Sequence, residues 1–131
     1  MKALLLCFTL LTFACFGCTK EADELRLRTA DAAPVVQVVV ADKVLTVGES
    51  ATLTVFFEVR NGCGEFGSFD TNSDGQTLTV RVIPHYREGF CTQALETRET
   101  TYTFTPKTKG TYTLKFWAGE NDYISETIVV Q

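Results

Sequence analysis

From residue 52 onward apolar and polar side chains alternate, and a chain with this alternation is committed to strands that bury one face. Leu53, Val55, Phe57 and Val59 interleave with Thr52, Thr54, Phe56 and Glu58. The pattern returns at Leu78, Val80 and Val82, at Tyr102 and Phe104, and at Tyr112, Leu114 and Phe116. Ile124, Ile128 and Val130 close the chain on one face with Glu126. Side chains two apart on a strand share a face, so this period sends every second residue to a core. Val35 to Ala41 is a denser β-branched run of the kind strands favour. Turn chemistry separates these segments at Val47-Gly48, Asn61-Gly62, Asp74-Gly75, Glu88-Gly89, Lys109-Gly110 and Gly119. No helical period of useful length follows Asp31. The expectation for residues 34–131 is an all-β domain, an antiparallel β-sandwich of about seven strands.

The start of the chain follows other rules. Met1-Lys2 precedes fifteen uncharged residues, ALLLCFTLLTFACFG. That is the layout of a secretory signal, and it falls short of the roughly 20 residues a membrane-spanning helix needs. Ala14-Cys15-Phe16-Gly17-Cys18 resembles the end of a bacterial lipoprotein signal, where a small residue precedes the Cys that is lipidated. Gly17 takes that small position, while Phe16 and Cys15 depart from the usual residues. Cys15, following Ala14, is a second possible modification point. The resemblance implies a signal peptide over 1–17, and on Cys18 a diacylglycerol thioether plus an amide-linked acyl chain. Two or more chains give stable anchoring where one is marginal, so the membrane becomes a partner through the lipid.

Cysteine parity agrees with this. Of five Cys, Cys7 and Cys15 leave with the signal and Cys18 carries lipid. Cys63 and Cys91 remain, and they can pair in an oxidising exported compartment. Their bridge would close a loop of about 29 residues. Residues 18–33 form the lipidated Cys and a charged tether. The fifteen residues after Cys18 carry four acidic and three basic side chains with no aromatic, too little apolar surface to fold alone. Extended, they reach about 50 Å at ~3.3 Å per residue. Lys20-Glu21 and Asp23-Glu24 resemble the acidic sorting signal with which some Bacteroidetes lipoproteins reach the cell surface.

The segment from Pro106 to Leu114, PKTKGTYTL, resembles the approach to the sixth strand of immunoglobulin-like domains. There a Gly-x-Tyr motif sets a tyrosine corner two residues before the second core Cys. Tyr112 takes the corner position and Leu114 replaces the Cys, so the inter-sheet disulfide of antibody domains is not expected. With NGCG, FCTQ, TYTFTP and the closing TIVV, the chain is similar to small Bacteroidetes-type lipoproteins with an immunoglobulin-like domain. That resemblance implies an outer-membrane lipoprotein, surface-exposed or facing the periplasm, and carries no mechanism.

Few residues offer chemistry. A net charge of −4 gives no basic field for nucleic acid. One His, His85, lacks partners at ligand spacing, so it reads as a strand-end residue rather than a metal ligand. DTNSDG, Asp70 to Gly75, matches half of a calcium loop, but its twelfth position is Arg81 where a bidentate Glu belongs. A hairpin turn explains it better. No acid, base and nucleophile stand together, so neither an enzyme nor a cofactor is expected. Phe66, Phe69, Tyr86, Phe90, Trp117 and Tyr123 lie near turns or on outward strand positions. They either fill a small core around the disulfide or meet a protein or glycan partner. The expected function is a lipid-anchored module that presents a disulfide-clamped aromatic loop end. The alternative is a chagasin-like protease inhibitor, which Asn61, Gly64, Phe66 and Phe116-Trp117 resemble in part. Gly-Cys stands where that family has Thr-Thr, and the Arg-Pro before its Trp is missing.

Overall fold

A computed structural model describes residues 31–131. The signal segment, Cys7, Cys15, Cys18 and the tether up to residue 30 lie outside the described residues. Eight strands follow: β1 (Val35–Val40), β2 (Val44–Leu45), β3 (Ala51–Val59), β4 (Gly64–Asp74), β5 (Thr77–Tyr86), β6 (Glu96–Phe104), β7 (Gly110–Gly119) and β8 (Asp122–Val130). They form two sheets, ordered β1-β3-β6 and β2-β8-β7-β5-β4. The fold is an all-β sandwich.

The alternation seen in the sequence becomes the layer between the sheets. Leu53, Val55, Phe57 and Val59 of β3 are wholly buried, as are Val80 and Val82 of β5. Leu114 and Phe116 of β7 and Ile128 of β8 join them. The intervening residues of these strands are less buried throughout. Tyr112 makes the corner that its motif announces. Its hydroxyl donates to the Thr108 carbonyl at 2.9 Å and shares a 2.6 Å bond with the Thr108 hydroxyl. Leu114, at the place of the antibody Cys, fills the core with apolar volume instead of a bridge.

The structure departs from the expected outline at β4 and β5. Residues 64–74 are a long edge strand, not a run of turns. Glycines, Ser, Asn and Asp disguise it in the sequence, since none favours strands on its own. A bulge between Phe66 and Ser68 breaks the register against β5. The extra residue puts Phe66 and Phe69, three apart, on one face. Gly67 makes this possible: a Cβ there would sit 2.7 Å from the Ile83 carbonyl oxygen. DTNSDG is accordingly the end of β4 and the start of its turn, with Asp74 opposite Thr77 and only Gly75-Gln76 between them.

Two pairings are parallel, β2 with β8 and β5 with β7, so the sandwich is not antiparallel throughout. In an immunoglobulin domain the strand following the second one lies beside the sixth. Here β4 goes to the outer edge and its hairpin partner β5 takes the place next to β7. Past Val80 the β5–β7 pairing stops, and the incoming chain takes over: the Ala33 amide donates to the Val82 carbonyl at 2.8 Å. One residue later the Pro34 carbonyl accepts from Glu58 of β3 at 3.0 Å. Consecutive residues thus stitch the two sheets together at one end.

Leu114→Ala should lower the unfolding free energy by about 2–5 kcal/mol, the cost of a cavity in a filled core. Tyr112→Phe should cost about 1 kcal/mol, the net worth of the hydrogen bonding to Thr108, whose exposed groups turn to water. Urea titration of the two variants measures both, with Leu114→Ala the larger loss.

Candidate functional site at the clamped end of the sandwich

Four segments meet at one end of the molecule: the incoming residues 31–34, the β3–β4 turn, the β5–β6 connection and the β7–β8 turn. The second and third are tied together. Cys63 and Cys91 form a disulfide with their Cα atoms 5.4 Å apart. The Gly62 amide donates to the Thr92 carbonyl at 2.9 Å, and the Arg87 amide donates to the Cys63 carbonyl at 3.1 Å. Gly62 allows this approach, because a Cβ would collide with the Thr92 hydroxyl oxygen. Within the turn, the Asn61 side chain accepts from the Cys63 amide at 3.0 Å.

Arg98 of β6 acts as a third fastener. Its Nε donates to the Gly64 carbonyl at 3.0 Å and its Nη2 to the Gly62 carbonyl at 3.2 Å. Nη1 meets Glu96 Oε2 at 3.3 Å. The planar guanidinium suits this fork, since one group satisfies two carbonyls and a carboxylate at fixed angles. On the neighbouring side Tyr86 accepts from the Arg60 amide at 3.0 Å, while the Arg60 guanidinium lies 4.8 Å from the Tyr86 ring centre. Arg87 and Glu65 form an exposed 2.9 Å ion pair.

The six aromatic residues separate into three groups. Phe66 and Phe69 belong to a chain of rings across the sandwich: Phe57–Phe66 at 6.3 Å, Phe66–Phe69 at 4.7 Å, Phe69–Tyr102 at 5.0 Å and Tyr102–Phe116 at 5.7 Å. Tyr86, half-buried, packs against the same core. Trp117 and Tyr123 are register partners on the solvent side of β7 and β8, and Lys115 Nζ lies 4.7 Å from the Tyr123 ring centre. Phe90 stands apart at 110% relative exposure, next to the disulfide. Sequence reasoning gathered these residues near one end but missed Leu95 on the same connection, which is 67% exposed.

The remaining candidates are dispersed. His85 is exposed on β5, opposite Glu65. Asp70, Asn72 and Asp74 alternate along β4, with Asp70 3.9 Å from Arg81. Among the described residues no group of three or more His, Cys, Asp or Glu side chains is placed to hold a metal. A hollow of about 300 Å³ is lined by Asp31, Ser68, Phe69, Asp70 and Ile83, which bring no nucleophile and base together. Asn61 and Gly64 sit in the tight, tied turn and at the start of β4, so they do not project as a separate loop.

The ORF11 β-sandwich domain family matches residues 53–130. The chain belongs to this family. The ORF11 β-sandwich match runs from the second residue pair of β3 to the end of β8, so it includes the disulfide, the tyrosine corner and all six aromatics. The stitching residues, β1 and β2 precede it. No curated protein and no solved structure matches the chain.

Replacing both Cys63 and Cys91 with Ser should lower stability by about 3–4 kcal/mol, the chain-entropy value for a loop of this length. Chemical denaturation reads the loss. Amide exchange should quicken most at Gly62 and Arg87, whose bonds cross the clamp.

Proposed function

We propose that this ORF11 β-sandwich protein is a non-enzymatic lipoprotein of the bacterial cell envelope, of the small Bacteroidetes type. Lipid on Cys18 anchors it, residues 18–33 act as tether, and the clamped end of the sandwich meets a protein or glycan partner. Cysteine parity supports the anchor: with Cys63 and Cys91 paired, Cys18 is the one cysteine beyond the signal segment left for another use. The acidic residues after Cys18 favour the outer surface of the outer membrane.

The observation that carries the contact role is the rigidity of this end beside the half-buried Trp117–Tyr123 pair on the outer face of β7 and β8. Aromatic rings on a pre-ordered surface lose little side-chain freedom on binding and bury much area. Lys115, Ser125 and Thr79 extend the surface with hydrogen-bonding groups suited to a protein or a sugar.

The reading predicts that the immobilised protein retains an envelope protein or surface polysaccharide, and that Trp117→Ala or Tyr123→Ala weakens retention about tenfold or more. Melting temperatures of these variants should stay within about 3 °C of the parent. Retention that falls only in step with stability would contradict a contact role. On intact cells, digestion of the domain by added protease, with a periplasmic control preserved, would support surface display.

A further inference from the structure

We infer that Phe90 and Leu95 are a second membrane contact: the tip of the clamped end rests on the bilayer that holds the chain's own lipid. The inference depends on the lipid anchor proposed above and goes beyond it by giving the domain an orientation.

Three observations lead there. First, Phe90 and Leu95 are the two most exposed large apolar side chains among the described residues, at 110% and 67%. Packing within the domain does not account for them. From Gly89 to Leu95 the chain reads GFCTQAL, an uncharged stretch bounded by Glu88 and Glu96. An uncharged apolar tip can enter the boundary between headgroups and acyl chains, which excludes ionised groups.

Second, the tip is held out. Cys91, adjacent to Phe90, is bonded to Cys63, and Thr92 accepts from Gly62. The backbone on one side of Phe90 is therefore fixed, which lowers the ordering cost of docking.

Third, the tether joins the domain at this same end. Ala33 and Pro34 bond to Val82 and Glu58, near the ends of β5 and β3 that lead into the clamped loops. The fifteen residues after Cys18 reach at most about 50 Å, so the domain stays within that distance of the bilayer and the tip can meet it. Tethering makes the second contact intramolecular, and a weak apolar interaction then suffices. Trp117 and Tyr123 lie on the β7–β8 hairpin, a different element from the β5–β6 connection that carries Phe90 and Leu95, so the two contacts use different residues.

The test uses the full mature lipidated chain in phosphatidylethanolamine–phosphatidylglycerol vesicles containing lipid brominated in its acyl chains, which quenches nearby tryptophan. Trp117→Phe removes the single native Trp. Phe90→Trp then reports on the tip, and Val47→Trp, on an exposed turn at the other end, is the control. Brominated lipid should lower the emission of the Phe90→Trp variant about twofold and leave that of the Val47→Trp variant unchanged. Equal quenching of both, or none in protein that floats with the vesicles, would overturn the proposal. The second result would leave the tip to a protein or glycan. If the mature chain fails to float, the lipid anchor itself is wrong. The same two variants, made Cys18→Ser and held by an N-terminal His tag on nickel-chelating lipid, then decide the tip separately: selective quenching supports it and its absence overturns it.

Discussion

A sheet with one apolar face is stable only when that face is covered, and in this domain the two sheets cover each other. The wholly buried residues of β3 oppose those of β5, β7 and β8 in one continuous layer. Every other feature is attached to that layer. The tyrosine corner fixes how the chain enters β7, and the Ala33 and Pro34 bonds fix how the first residues reach both sheets. Because the apolar layer already holds the sheets together, Leu114 can stand where related domains place a bridging cysteine.

The disulfide is thereby free for a different task. At the ends of a sandwich the core gives way to turns whose backbone groups must find partners one by one. Here Cys63–Cys91, the Gly62–Thr92 bond and the Arg98 fork together fix two connections with little apolar material of their own. The outcome is an ordered end with side chains that the core does not need. Phe66 and Phe69 are different in kind, since Phe69 packs half-buried on the core and Phe66, more exposed, stacks on it at the edge strand. Substituting them tests packing, whereas substituting Trp117 or Phe90 tests contacts.

Much of this architecture is written in local pattern. The burial of Leu53 to Val59 and of Tyr112 to Phe116 follows directly from alternation, and the corner follows from Gly110-Thr111-Tyr112. Cysteine parity points to the pair that the structure joins. β4 escapes such reading because its ordering comes from pairing along ten residues of β5, a long-range property absent from its own composition. The bulge at Gly67 also shifts its phase, so Phe66 and Phe69 violate the period that identifies the other strands. The parallel β5–β7 neighbours are likewise invisible locally, since strand order depends on how hairpins are laid down and not on any one segment. In the contact region, side-chain type identified the aromatics, but only the fold separates a ring packed on the core, such as Phe69, from Phe90 in solvent, and brings Ala33 and Pro34 to the end where Phe90 stands.

In the function proposed above, one residue, Cys18, joins this domain to a membrane. Mass spectrometry of the N-terminal peptide of the mature protein, taken from its native membrane, tests that link most directly. The account predicts a peptide beginning at Cys18 that carries a diacylglycerol thioether and an amide-linked acyl chain. A mature protein that retains Cys18 without lipid, or begins beyond it, would contradict the anchor and the orientation drawn from it.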